Sequence, residues 1–393
     1  MHVGWRREIT SPPASGGDEA LAAAIRSEIE TGGPITFARF MERALYDPDG
    51  GYYATATNRQ TRAGDFLTAP ELHPVFGRTL ARQVDEMWRH LKTPDEFLIR
   101  EYGAGSGALF VSIVDGLAAI QSELASILRY EPVDFARQRE VIRERVAKAG
   151  REAQLVPISE HGTVRTGVVL ANEFADALPV HRVIRLNGAL REILVDWRDG
   201  AFVEVAGPLS DERIASWFTD ADLHLVEGQR AEVNLAMLDW VRDLATQLER
   251  GYVVVIDYGA GSRELYGPDR PNGTIRAFAG QRVSSDVLSQ PGSRDITSSV
   301  DFDALEREAR ACGFEVAGRR RSSEFLLACG LDDAYGQARA ESEADWDATM
   351  NLRSAIQRLL DPNALGGYLV TVLAKNAPID PPLRGFAPLA GTR

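Results

Sequence analysis

At 393 residues and 44% apolar content, the chain is long enough for a substantial core plus an appendage or second domain. A formal charge of −13 disfavours a surface that tracks nucleic-acid phosphates, so no nucleic-acid partner is expected. Two cysteines, Cys312 and Cys329, exclude a disulfide framework, and the lack of a secretory stretch or an apolar run of about 18 residues gives a cytoplasmic protein with no membrane span.

Residues 1–17 read as a flexible tail and residues 18–95 as a helical cap region. Helices are expected over 21–30 and 37–45, the second ended by the turn-rich YDPDGGYY. After the loop ATATNRQTRAGDFLTAP, Thr68-Ala69-Pro70-Glu71 has the form of a capping box. It opens a helix to about Leu91 whose inward face is Leu72, Phe76, Leu80, Val84 and Met87. From Phe97 short apolar runs alternate with helical segments, the texture of an α/β parallel sheet. The first half of this core, residues 96–185, holds the strand candidates FLIREY, SILRYEP and GVVLANEF. Residues 186–232 form an insertion, where Asn187-Gly188 and Asp199-Gly200 mark β-hairpin turns. The second half, residues 233–375, has a helix over 233–248, the strand GYVVVIDYG, a substrate-side loop 263–300, a helix in FDALEREARACGF and a last strand in GGYLVTVLAK. Residues 376–393 read as a Pro-rich extended tail.

The chemistry-bearing stretch is REYGAGSGALF, a glycine turn between a strand and a helix, where backbone amides and a helix N-terminus can approach a cofactor. Two patterns fit. Gly103, Gly105 and Ala108 match the dinucleotide fingerprint, whereas Glu101 with Gly103, Gly105 and Gly107 matches the turn of methyltransferases that use S-adenosyl-L-methionine. Glu131, read as the end of the next strand, would hydrogen-bond ribose hydroxyls in either case. Glu101 leans toward the second, because a carboxylate complements the ammonium and sulfonium of that cofactor.

Taken with GPITFARFMERALYDPDGGYY, GDFLTAPELHPVFG, LANEFADALPVHRV, VIDYG and PGSRDITSSVDFDAL, the turn makes the chain resemble the MidA family over most of its length. That family's mitochondrial members are methyltransferases acting in complex I assembly. The resemblance implies a Rossmann-like class I methyltransferase sheet, S-adenosyl-L-methionine as cofactor, and a protein substrate with an arginine acceptor, on a complex I subunit for the mitochondrial members. It also implies that Gly103, Gly105 and Gly107 line the cofactor, that Glu131 takes the ribose, and that Asp65, Thr68 and Pro70 fold over the methionine end.

At the carboxyl end of a parallel strand, Asn172, Glu173 and Asp176 would point near the transferable methyl. Glu173 is the first choice and Asp176 the second for a carboxylate that clamps the guanidinium or takes its proton. Asp257 ends another strand at the same edge, as a substrate or cofactor contact or as a carboxylate bonded to loop amides; Asp295 is a further substrate-side candidate. Asp301 reads as a helix cap. No metal is required, and the six histidines are scattered without zinc spacing. Departures from the family pattern lie on the substrate side: Gln281 and Ser299 stand where histidines are usual, and Arg321-Ser322 where a Thr-Gln pair is usual. Two alternatives accompany protein arginine methylation: methylation of a small-molecule nitrogen or oxygen, and a cofactor-binding assembly factor with little turnover. Oligomeric state is not legible.

Overall fold

A computed structural model describes residues 17–55, 68–157, 162–279 and 282–388. The apolar runs from Phe97 onward build one six-stranded sheet from β1 (Phe97–Tyr102), β2 (Leu128–Val133), β3 (Gly167–Asn172), β4 (Gly251–Asp257), β5 (Glu315–Arg321) and β6 (Leu369–Lys375). Their spatial order is β2-β1-β3-β4-β6-β5, with β1 to β4 parallel and β6 antiparallel to both neighbours. β4 is buried along its whole length, as a strand covered on both faces must be. One face packs on the helices Val75–His90 and Ala108–Ala119, the other on Leu235–Gln247 and Phe302–Ala311. The order reverses at β1, so the crevice beyond the carboxyl ends of β1 and β3 is where such a sheet binds ligands. The class I methyltransferase sheet expected from the sequence is the sheet found.

A second sheet grows out of the carboxyl end of β3. Its strands are His181–Leu186, Ala189–Arg198, Ala201–Gly207 and Arg230–Val233, joined by Ile35–Thr36 from the N-terminal region. Both hairpin turns take the left-handed backbone that Asn-Gly and Asp-Gly tolerate, with φ of 52° and 74° at Asn187 and Gly188 and of 49° and 81° at Asp199 and Gly200. A third core, including Ile25, Phe37, Phe40 and Met41, closes on Val180, Val195, Ile275 and Ile296. The N-terminal helices, the insertion and the residues around Ile275, Val287 and Ile296 therefore form one cap beside the crevice.

Four local expectations change. The helix predicted from Thr68 is two helices, Ala69–Leu72 and Val75–His90, because Pro74 bars an α conformation at His73, which is extended at φ −166°, ψ 144°. Thr68 makes no side-chain cap bond. β5 went unpredicted, since EVAGRRR is charged and mostly half-exposed at the sheet edge. The C-terminal segment docks: Leu383 is buried, Phe386 packs on Phe325 at 5.4 Å, and Arg320 holds the carbonyls of Gly385 and Ala387 at 2.9 and 2.8 Å.

Candidate active site

After β1 the chain turns through three left-handed glycines, Gly103, Gly105 and Gly107, with φ of 64°, 59° and 77°. Only glycine adopts this repeatedly without strain, and Gly107 then caps the helix Ala108–Ala119. A side chain at Gly103 would meet Phe174 at 3.3 Å, and one at Gly107 would meet Ile142 at 3.0 Å. The turn is pinned from outside. Asp134 accepts the Gly105 N–H at 2.9 Å, and Gln138 donates to the Gly105 carbonyl. Burial pushes Asp134 up to about 6, against the downward pull of the Gly105 and Phe135 N–H groups. Ser106 donates to Glu71, which also faces Arg145 at 3.4 Å.

One pocket collects segments that are far apart in sequence. Thr68, Pro70 and Glu71 form one side, Glu101 and the turn Gly103–Ser106 the floor, and Asn172 and Glu173 the other side. Glu101 is buried at the end of β1, where burial pushes it up to about 8 although the Tyr130 hydroxyl donates to it at 2.6 Å. Asn172 Oδ1 is buried without a hydrogen-bond partner among the described residues. Glu173 has a φ of 51°, rare outside glycine, asparagine and aspartate. Its N–H is tied to Ile256 O at 2.9 Å, and its carboxylate accepts from Ala69 N and Asn172 Nδ2, each at 3.2 Å, with the Tyr368 hydroxyl at 3.5 Å. Desolvation pushes Glu173 up to about 7.

Glu131 is not in this pocket. β2 runs on to Val133, so Glu131 lies mid-strand and projects to the other face, where its register partner Arg100 holds it at 3.0 and 3.1 Å. Asp134, the first residue past β2, stands at the turn instead. Of the two roles open to Asp257, the structure has the carboxylate bonded to loop amides: Oδ2 accepts the N–H groups of Phe174, Ala175 and Asp176 at 3.2, 3.0 and 3.2 Å, and Oδ1 that of Tyr258 at 2.9 Å. Burial and the nearby Glu173 charge push Asp257 up to about 8. Asp176 is pushed well above the carboxylate range by burial and by Asp257, Asp295 and Glu173. Four N–H donors favour the charged form of Asp257.

Asp295 is buried and accepts the Tyr53 hydroxyl at 2.7 Å. Ser299 lines a groove of about 360 Å³ with Tyr258, Ala260, Ala364 and Tyr368. Arg321 precedes a short helix, and the Ser322 N–H bonds Tyr368 O at 2.7 Å. Asp65 and Gln281 lie outside the described residues. Asp301 caps its helix by accepting from Ala304 N at 3.0 Å. The sequence reading missed Ser106, Asp134, Tyr258 and Tyr368 as site residues. Asp134 and Tyr258 adjoin motifs already singled out, whereas nothing local marks Tyr368. Among the described residues no helix is long and apolar enough to cross a membrane, and no cluster of three or more His, Cys, Asp or Glu could hold a metal ion.

Residues 79–320 match the family model described as "Putative S-adenosyl-L-methionine-dependent methyltransferase". The curated protein arginine methyltransferase NDUFAF7 homolog, mitochondrial, of Drosophila melanogaster is 28% identical over 396 residues, covering 91% of this chain and 85% of that protein. Its Xenopus tropicalis counterpart is 26% identical over 409 residues, covering 94% and 90%. A crystal structure from Burkholderia thailandensis, bound to S-adenosyl-homocysteine, superposes with a TM-score of 0.85 at 32% identity and covers 96% of this chain and 98% of that one. The cytoplasmic expectation is overturned, since both curated relatives are named as mitochondrial proteins.

Proposed function

The chain belongs to that S-adenosyl-L-methionine-dependent methyltransferase family, and from this premise we propose that it methylates a guanidinium nitrogen of a protein arginine. The observation that carries the reading is the single pocket joining Glu101 and the glycine turn to Glu173. The residues fit the cofactor, which supplies a methyl group on a sulfonium. Glu101 and the unpartnered Asn172 Oδ1 suit its ammonium group, the amides of the left-handed turn leave room for close approach, and Asp134 suits the ribose hydroxyls in the role first given to Glu131. Thr68 and Pro70 would close over the same pocket.

Glu173 holds the reacting nitrogen and takes its proton. An arginine guanidinium is charged at all physiological pH, so transfer needs a carboxylate that localises the charge and accepts the released proton. A base near pH 7 suits this, and Glu173 is held there by burial at the wall of the donor pocket, fixed by Ala69, Asn172 and Tyr368. The N–CH₃ bond forms as the S–CH₃ bond breaks, and the proton leaves to the carboxylate. A protein substrate is favoured by the relatives named protein arginine methyltransferases, and a respiratory complex I subunit by the MidA resemblance.

The test is incubation with labelled S-adenosyl-L-methionine, arginine peptides and a lysate of the protein's own organism, followed by amino-acid analysis. Label in methylarginine is expected. Label confined to small molecules overturns the reading. Glu173→Gln should keep cofactor affinity and lower kcat by about 10²–10⁴-fold.

A further inference from the structure

Beneath Glu173 lies a buried group of polar atoms without protein partners. Asp176 is 5% exposed and Thr297 1% exposed, yet Asp176 Oδ1 and Thr297 Oγ1 have no hydrogen-bond partner among the described residues. The Tyr258 hydroxyl, which makes no well-formed hydrogen bond among the described residues, interacts with both side chains and ties them into one group. These atoms come from three segments: the loop after β3, the residue after β4, and the strand Asp295–Thr297. Asp257 and the Ser298 N–H, which bonds Asp176 O at 2.9 Å, lock that arrangement. Buried polar atoms short of well-formed hydrogen bonds cost stability, which a ligand donating to their free lone pairs would recover.

The chemistry narrows the ligand. The charges that act most on Asp176, those of Asp257, Asp295 and Glu173, are all acidic, so the site favours a cation. Among the described residues these acids do not converge into a set of three that could hold a metal ion, which favours a hydrogen-bonding organic cation. Three acceptors on separate segments match the planar fork of a guanidinium, with its five N–H donors, better than the compact head of an ammonium. Tyr258 and Tyr368, with ring centroids 5.7 Å apart, line a groove with Ser299, Ala364 and Arg270, whose guanidinium is paired with Glu264 at 2.9 Å, and Tyr258 is the residue it shares with this group.

We propose that Asp176 Oδ1, Thr297 Oγ1 and the Tyr258 hydroxyl form the specificity site that receives the guanidinium of the acceptor side chain, admitted along the groove between Tyr258 and Tyr368. The inference rests on the methyltransferase reading and adds how arginine is chosen over lysine. Glu173 faces the nitrogen that is methylated, and the deeper acceptors hold the other two.

The probe is ethylguanidinium, titrated into protein saturated with S-adenosyl-homocysteine, with ethylammonium as the comparison. Ethylguanidinium should bind at least ~10-fold tighter than ethylammonium, the scale of one well-made polar contact. Thr297→Val and Tyr258→Phe, which keep shape, should each weaken ethylguanidinium about 10-fold and raise KM for an arginine peptide while leaving kcat and cofactor affinity near wild type. Asp176→Asn should weaken it more. Equal binding of the two cations, or unchanged ethylguanidinium affinity in Thr297→Val and Tyr258→Phe, overturns the proposal while arginine methylation by the wild type keeps the wider reading. Thr297- and Tyr258-dependent ethylguanidinium binding without methyl transfer would sustain the site and sink that wider reading.

Discussion

The donor pocket and the acceptor cluster share Glu173 but are built by opposite means. Backbone makes the first: three left-handed glycines within five residues and a helix start, assembled by one local turn. Side chains make the second, with Tyr53, Asp176, Tyr258, Thr297 and Tyr368 coming from the N-terminal cap, two strand ends, the cap loop and the start of β6. A backbone-built site depends on a few φ angles and fails abruptly when one is changed. A side-chain-built site depends on how cap and sheet pack, and it changes selectivity by degrees.

The largest effect should come from breaking the backbone half. Gly105→Val puts a β-branched side chain at φ 59° on the pocket floor, where it is both strained and in the ligand's way. Calorimetric affinity for S-adenosyl-L-methionine should fall at least ~100-fold, about 2.7 kcal/mol. Retained affinity would mean that the turn does not touch the cofactor.

Next is the scaffold beneath the acceptor half. Asp257→Asn replaces one acceptor oxygen by an N–H₂ facing backbone donors that now bond Oδ1 and Oδ2. Buried N–H groups lose their partner, at about 1–3 kcal/mol each, so denaturant unfolding should register a loss of about 3 kcal/mol and KM for the acceptor should rise. A variant with wild-type stability would return Asp257 to the role of a ligand contact.

These two halves were unequally legible for a physical reason. The glycine turn, Glu101 and the hairpin turns are set by neighbours within a few residues, and sequence records such constraints directly. Glu131 was misplaced because strand register decides which face a residue takes: β2 extends to Val133, and alternation turns Glu131 toward Arg100. Asp257 stays ambiguous in the sequence because strand ends face the crevice, while three of its four N–H partners lie more than 80 residues away. Tyr368 enters the site only through the antiparallel placement of β6, which no local pattern states.

A pH titration separates the halves more finely. Burial holds the folded-state Glu101 at about 8 against an ordinary value of 4.5. Between these values the folded chain keeps a proton that the unfolded chain has released, so this group's stabilisation is full below about 4.5 and is lost as pH rises toward 8. At 1.36 kcal/mol per pH unit the loss is about 5 kcal/mol at most, and Glu101→Gln should flatten it. Saturating cofactor, whose ammonium favours the charged carboxylate, should flatten it as well. Activity should instead rise with pH through about 7 as Glu173 becomes able to accept the proton. An unchanged stability slope in Glu101→Gln would remove the buried proton from the donor pocket.

The smallest effects distinguish two threonines that each precede a helix. Thr36 is a working N-cap, its Oγ1 accepting the Arg39 N–H at 3.0 Å ahead of the helix Phe37–Tyr46. Thr68 precedes a four-residue helix, makes no side-chain cap bond and faces the donor pocket. Thr36→Ala should therefore cost about 1 kcal/mol of unfolding free energy with cofactor affinity unchanged. Thr68→Ala should leave stability within about 0.5 kcal/mol and weaken S-adenosyl-L-methionine binding by a few-fold, because what it removes is a wall of the pocket. A stability loss in Thr68→Ala equal to that in Thr36→Ala would restore the capping box and take Thr68 out of the donor site.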